Sequence, residues 1–182
     1  DRGLREALKG EFNLHHPPTN CGSARNGAKN IHHWLGAYEQ SGRHWDVISF
    51  NFGHWNAGSD KASYQRDLET VIAALKKTKA KLIWVTTCPV PNGFPKAGSL
   101  SEKGNAPRRT SGVMQKYINP WALEVIKRHP DISTCDQWQF VKNNERGLFT
   151  DWWAGTDVHF KGQSADALGA FLAKHIKQVF RQ

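Results

Sequence analysis

Trp45-Asp46-Val47-Ile48-Ser49-Phe50-Asn51-Phe52 is a mostly apolar run that stops at Gly53-His54-Trp55-Asn56. A continuous apolar run of this length, closed by a turn, marks a strand covered on both faces, as in a parallel sheet. The next segment supports that reading. From about Asp60 to Lys77, Tyr64, Leu68, Val71, Ile72 and Leu75 recur at the helical period, and Asp60 stands where an N-cap belongs. Lys81 to Thr87 then reads as a second buried strand, stopped at Cys88-Pro89-Val90-Pro91.

Working outward, residues 2–9 predict a short helix with Leu4, Ala7 and Leu8 on one stripe. Phe12 to His16 predicts a short strand ended by Pro17-Pro18. The turn from Asn20 to Gly27 leads into a helix carrying Ile31, Trp34 and Leu35. Downstream, residues 92–109 form a polar loop rich in Gly, Pro and Lys, the only linker-like stretch. A helix over 111–128, disturbed at Pro120, precedes a short strand at 132–136 and a helical turn at 137–141. The last helix starts near Gly162 with Leu168, Phe171, Leu172, Ile176 and Val179 on its core face.

Strands alternating with helices predict an α/β protein, a three-layer α/β/α sandwich around a parallel sheet, in one domain over residues 1–182. Ligand sites in such sheets form at the carboxyl ends of the strands. The turn at 20–27, the turn at 53–56 and the loop Thr156-Asp157-Val158-His159-Phe160 all belong there. In that loop a carboxylate stands two residues before a histidine, just ahead of a helix. This suits a general base, His159, oriented by an acid, Asp157. The plain alternative is a helix-entry loop with a surface carboxylate.

Composition narrows the classes. A 38% hydrophobic share with eight Trp and nine Phe excludes a disordered chain. A net charge of +9 suits an anionic partner, but the basic residues are scattered and form no dense block, so nucleic-acid binding is not expected. Three distant cysteines, Cys21, Cys88 and Cys135, spell neither a disulfide framework nor a zinc site. No apolar run is long enough for a membrane span.

Taken together, these residues resemble the SGNH or GDSL hydrolases, mostly serine esterases and lipases. Asn20-Cys21-Gly22-Ser23, with Gly27 and Trp34-Leu35-Gly36, is similar to the second block of that family. Trp45 to Asn56 resembles the third block, and Asp157-Val158-His159-Phe160 the last. Lys81 to Val90 resembles the strand after the third block in the polysaccharide-deacetylating branch. The resemblance implies a flavodoxin-like SGNH fold and ester hydrolysis that removes acyl groups, acetyl above all, from a carbohydrate or small ester. It implies His159 as base, Asp157 as its orienting acid, and Gly22 as a backbone donor to the oxyanion hole. No metal and no organic cofactor are implied. Trp152 and Trp153 are either core residues or a wall on which a sugar stacks.

The chain departs from the family pattern in two places. The third block usually ends Gly-x-Asn-Asp or Gly-x-His-Asp. Here Trp55 occupies the donor position, and His54 or Asn56 takes its place if the turn is shifted by one residue. The first block, a strand ending in Gly-Asp-Ser with the nucleophile, has no counterpart. The resemblance places it a few residues before Asp1, in a missing N-terminal segment or a second chain. Ser23 is the nearest serine but stands inside the second block. A catalytically inactive domain that binds a glycan or protein partner is the competing expectation. The cellular location is open, with a secreted or periplasmic setting expected.

Overall fold

The computed structural model describes residues 2–40, 42–91, 111–144, 152–154 and 158–182. The predicted loop at 92–109 and the candidate acid Asp157 lie outside the described residues.

Three strands form one parallel sheet among the described residues: β1 (Val47–Phe50), β2 (Lys81–Val85) and β3 (Ser133–Cys135), in the order β1-β2-β3. Val47 pairs with Lys81 and Phe50 with Trp84, and Ile83 pairs with Ser133 and Val85 with Cys135. The two-residue period of a strand sends alternate side chains to opposite faces. Leu82 and Trp84 accordingly join one core with α2 (Ala24–Glu39), α3 (Lys61–Lys77) and α5 (Asn119–Ile126). Ile83 and Val85 join the other with α1 (Arg2–Leu8) and α7 (Gly162–Arg181). Helices on both faces of a parallel sheet make the predicted three-layer α/β/α sandwich.

Local signals set most element ends. The Asp60 side chain accepts from the Ser63 N–H at 2.9 Å and caps α3 as expected. The helix predicted over 111–128 forms in pieces: α4 (Ser111–Val113), a π-helical stretch at Met114–Ile118, then α5. Pro120 stands in the first turn of α5, where an N–H would have no partner in that helix, and the widened turns lie just upstream. The turn predicted at 137–141 extends into α6 (Gln137–Asn144).

The strand predicted over Phe12–His16 does not form. Residues 12–17 join no ladder, although Phe12 and Leu14 still pack into the α1–α7 core. The alternating pattern was real, but a strand also needs a neighbour to bond with, and a cavity lies between this segment and β1.

Helices α1 and α7 run side by side in the same direction. Arg2 pairs with Asp166 at their starts, and Lys177 with Glu11 further along. Lys81 Nζ donates to Phe180 O at 3.0 Å, which places the end of α7 at the amino end of the sheet. The helices touch through glycines: a Cβ on Gly169 would overlap the backbone of Gly3 and Leu4. Helix propensity alone favours alanine over glycine by about 1 kcal/mol. Backbone cannot swing aside, so Gly169→Ala is expected instead to cost roughly 1–3 kcal/mol by overpacking. Calorimetry should then show a Tm lowered by roughly 3–10 °C.

Candidate active site

The carboxyl end of the sheet is fastened by side-chain hydrogen bonds. Asn51, just after β1, donates through Nδ2 to Val85 O at 2.7 Å and to Thr87 Oγ1 at 2.9 Å, locking the exit of β1 to that of β2. Gly53 lies against Thr87 so closely that any Cβ would overlap the threonine side chain. Thr87 is held in turn by Asn119, which accepts from its N–H and donates to its carbonyl, both at 2.9 Å. Sequence reasoning missed Asn51, Thr87 and Asn119. The only available signal for Asn119 was an amide immediately before Pro120.

The third-block turn is a short 3-10 helix, His54–Asn56. Its three candidate oxyanion donors part company there. Asn56 is buried, and its Oδ1 accepts from Ala24 N at 2.9 Å while its Nδ2 donates to Gly53 O at 3.1 Å. Asn56 therefore satisfies one of the unbonded N–H groups at the start of α2 and ties the second block to the third. That engagement leaves it a fastener of the site rather than a donor to substrate. His54 is half-buried, and Trp55 stands 53% exposed. Asn56→Ala removes both bonds and is expected to cost roughly 2–4 kcal/mol, measurable by urea denaturation.

Gly22 adopts φ +67°, the left-handed region that glycine enters without strain. Its N–H donates to Asn20 Oδ1 at 2.9 Å, within the second block. Asn26 Nδ2 donates to Cys21 O at 2.8 Å and fixes the turn from the other side. Ser23 Oγ accepts from Asn26 N at 3.3 Å, as a helix cap does.

His159 is exposed, in the loop immediately ahead of α7. That loop is anchored by its flanks. Ala154 N donates to His159 O at 2.8 Å and Lys161 N to Trp152 O at 3.0 Å, closing an antiparallel bridge between Trp153 and Phe160. Trp153 stacks on Phe160, with centroids 5.8 Å apart and planes at 28°. Both pack on a small core of Cys88, Val141, Trp152 and Leu168, and Cys88 follows the end of β2. The His159 loop is thereby tied to the same end of the sheet as the turn at 53–56, which Asn56 joins to the second block.

The two tryptophans differ. Trp152 is 1% exposed and donates through Nε1 to Asn144 O at 3.3 Å, so it is a core residue and offers no face to a sugar. Trp153 is half-buried, and its Nε1 meets no acceptor among the described residues. Asp136 is a cap: its Oδ1 accepts from Thr86 Oγ1 and from Gln139 N, both at 3.0 Å. Burial, with Cys135 and Asp136 nearby, pushes the Cys88 thiol up to about 12, and burial pushes Cys135 equally far, so neither is a nucleophile at neutral pH. Among the described residues no group of three His, Cys, Asp or Glu is placed to hold a metal, and no helix is long and apolar enough to cross a membrane.

No protein-family model and no curated protein sequence matches this chain. Solved structures do. The acetyl xylan esterase AlAXEase superposes with TM-score 0.67 at 12% identity, over 98% of this chain and 91% of its own. A GDSL-like lipase from Bacteroides thetaiotaomicron superposes with TM-score 0.65 at 13% identity, over 97% and 81%. The catalytic domain of the peptidoglycan O-acetyltransferase OatA from Streptococcus pneumoniae gives 0.59 at 19%, over 99% and 84%. At such identities the likeness is one of fold, and it agrees with the observed layers, strand order and loop placement: the chain has the α/β/α fold of the SGNH, or GDSL-type, hydrolases.

Proposed function

We propose that this chain is the body of a serine-type ester hydrolase that removes acyl groups, acetyl in particular, from a carbohydrate or other small ester. The observation that carries this reading is the fastening of three loops at the carboxyl end of one parallel sheet, two of them joined through Asn56, with His159 in the third. Esterases and acetyl xylan esterases among the solved structures of this fold support it.

In this mechanism a serine hydroxyl attacks the ester carbonyl while His159 takes its proton. Asp157 holds the imidazole in the tautomer that accepts. The developing oxyanion is met by the Gly22 N–H, which exchanges Asn20 Oδ1 for the substrate oxygen, and by the Trp55 indole N–H or His54. His159 then returns the proton to the leaving alcohol, and water releases the acid from the acyl-enzyme by the same steps. Trp153, stacked on Phe160, offers an aromatic edge near the base for a sugar ring. Residues 1–182 contain no Gly-Asp-Ser turn to supply that serine.

The test is p-nitrophenyl acetate hydrolysis by the full-length protein. Turnover is expected; its absence, together with no effect of His159→Ala, overturns the reading. A second reading, a non-catalytic glycan- or protein-binding domain, is favoured by the tryptophan standing at the donor position. Fluorophosphonate labelling separates the two, because stable modification of a serine excludes the non-catalytic reading.

A further inference from the structure

A polar pair interrupts the layer between α7 and the sheet. Leu168, Leu172 and Val179 lie on one stripe of α7, and the position that completes this stripe between Leu172 and Val179 is held by His175. Opposite it, Ser133 opens β3 beside Ile83, which is fully buried. Ser133 Oγ lies 2.8 Å from His175 Nε2. Two apolar side chains would hold the layer at least as well, because one hydrogen bond adds little net stability. The pair is therefore distinctive for its chemistry.

Three parts of an acyl-accepting site meet here. Ser133 supplies a hydroxyl, and both it and His175 are only half-buried, so a small reagent can reach them. Burial holds the His175 imidazole below the usual histidine range, which leaves it neutral at pH 7 and Nε2 free to take a proton in the tautomer protonated at Nδ1. The third part is a backbone donor. Thr86 N donates to Cys135 O at 3.1 Å, so Ser133 and Cys135 bond toward β2, and Thr134 between them turns its N–H to the edge of the sheet. Thr134 is exposed. Its N–H, next in the chain after the hydroxyl, is placed to meet an oxyanion formed on Ser133.

We propose that Ser133 and His175 form a second reactive site, at the amino end of the sheet, that accepts a small acyl group from an activated ester. Ser133 Oγ bonds to the ester carbonyl carbon as its proton passes to His175 Nε2. The bond to the leaving oxygen then breaks, that oxygen takes the proton back from His175, and Ser133 keeps the acyl group as a new ester. Among the described residues no carboxylate bonds to His175, so the site suits a single acylation rather than rapid turnover. It lies at the opposite end of the sheet from the His159 loop and is independent of the chemistry proposed there.

The test treats the full-length protein with p-nitrophenyl acetate and, separately, with a small fluorophosphonate, and locates adducts by peptide mass mapping. Ser133 is expected to react at least about tenfold faster than Ser63, which is also half-buried but lies against Asp60 rather than a histidine. His175→Gln keeps a hydrogen-bonding group near the place of Nε2 but removes the base. It should slow Ser133 labelling at least about tenfold with Tm unchanged, a result that a merely structural histidine would not give. Ser133→Ala should abolish that adduct and leave p-nitrophenyl acetate turnover intact. Labelling of Ser133 should persist in His159→Ala, so the two sites fail separately, and only an adduct on another serine bears on the choice between the two readings of the carboxyl-end site. Equal rates at Ser133 and Ser63, or equal Ser133 rates with and without His175→Gln, overturn the proposal.

Discussion

Under the proposed mechanism, His159→Ala is expected to lower kcat on p-nitrophenyl acetate by roughly 10³- to 10⁴-fold. KM should stay within about threefold, because the imidazole acts on the proton in flight and contributes little to ground-state binding. The fold should survive the change. His159 is exposed, and the bonds that shape its loop run through backbone atoms, Ala154 N to His159 O and Lys161 N to Trp152 O. An unchanged Tm with a collapsed kcat would place the loss in chemistry. Retention of activity would remove His159 from the mechanism. Asp157→Asn should act in the same direction, through the tautomer of the imidazole rather than through contact with substrate.

The second large effect concerns stability. Trp152→Ala is expected to cost about 3–5 kcal/mol, read as a lower denaturation midpoint with an unchanged slope. Trp152 fills the small core that joins Val141, Cys88 and Leu168, and its carbonyl accepts from Lys161 N at 3.0 Å and from Ser164 Oγ at 2.5 Å. The void left by the indole would sit directly beneath the His159 loop. Activity should fall at temperatures well below the transition as the loop loosens. A sugar-binding wall would behave differently, with a raised KM on carbohydrate esters and no change in stability. Trp153→Ala is the variant in which that pattern is expected.

Much of the architecture was legible because burial writes itself into periodicity. Leu82 to Thr87 had to be covered on both faces, as they are, whereas of Val47 to Phe52 only Phe50 and Phe52 are buried; Tyr64, Leu68, Val71, Ile72 and Leu75 had to face one core. The same rule misled at Phe12 to His16. Pattern reports which faces are apolar, whereas pairing depends on a neighbouring strand that local sequence does not describe. The site was legible in outline only. The turn at 20–27 was placed, but nothing local indicated that the Asn56 side chain would be spent on Ala24 and Gly53. Trp152 and Trp153 are adjacent and chemically alike. Only the bridge between Trp153 and Phe160 decides which indole goes inward.

The close contact of α1 with α7 bears on how the protein is made. One wall of the α1–α7 core is residues 162–181, and the partner it presses against, through Gly3 and Gly169, is residues 2–8. During synthesis the faces of Leu8, Ile83 and Val85 therefore stay open until α7 has emerged. Closure across such a sequence separation is entropically slow. For that interval the nascent sheet exposes apolar surface on one side, and that side is where chaperone capture or misassembly is to be expected.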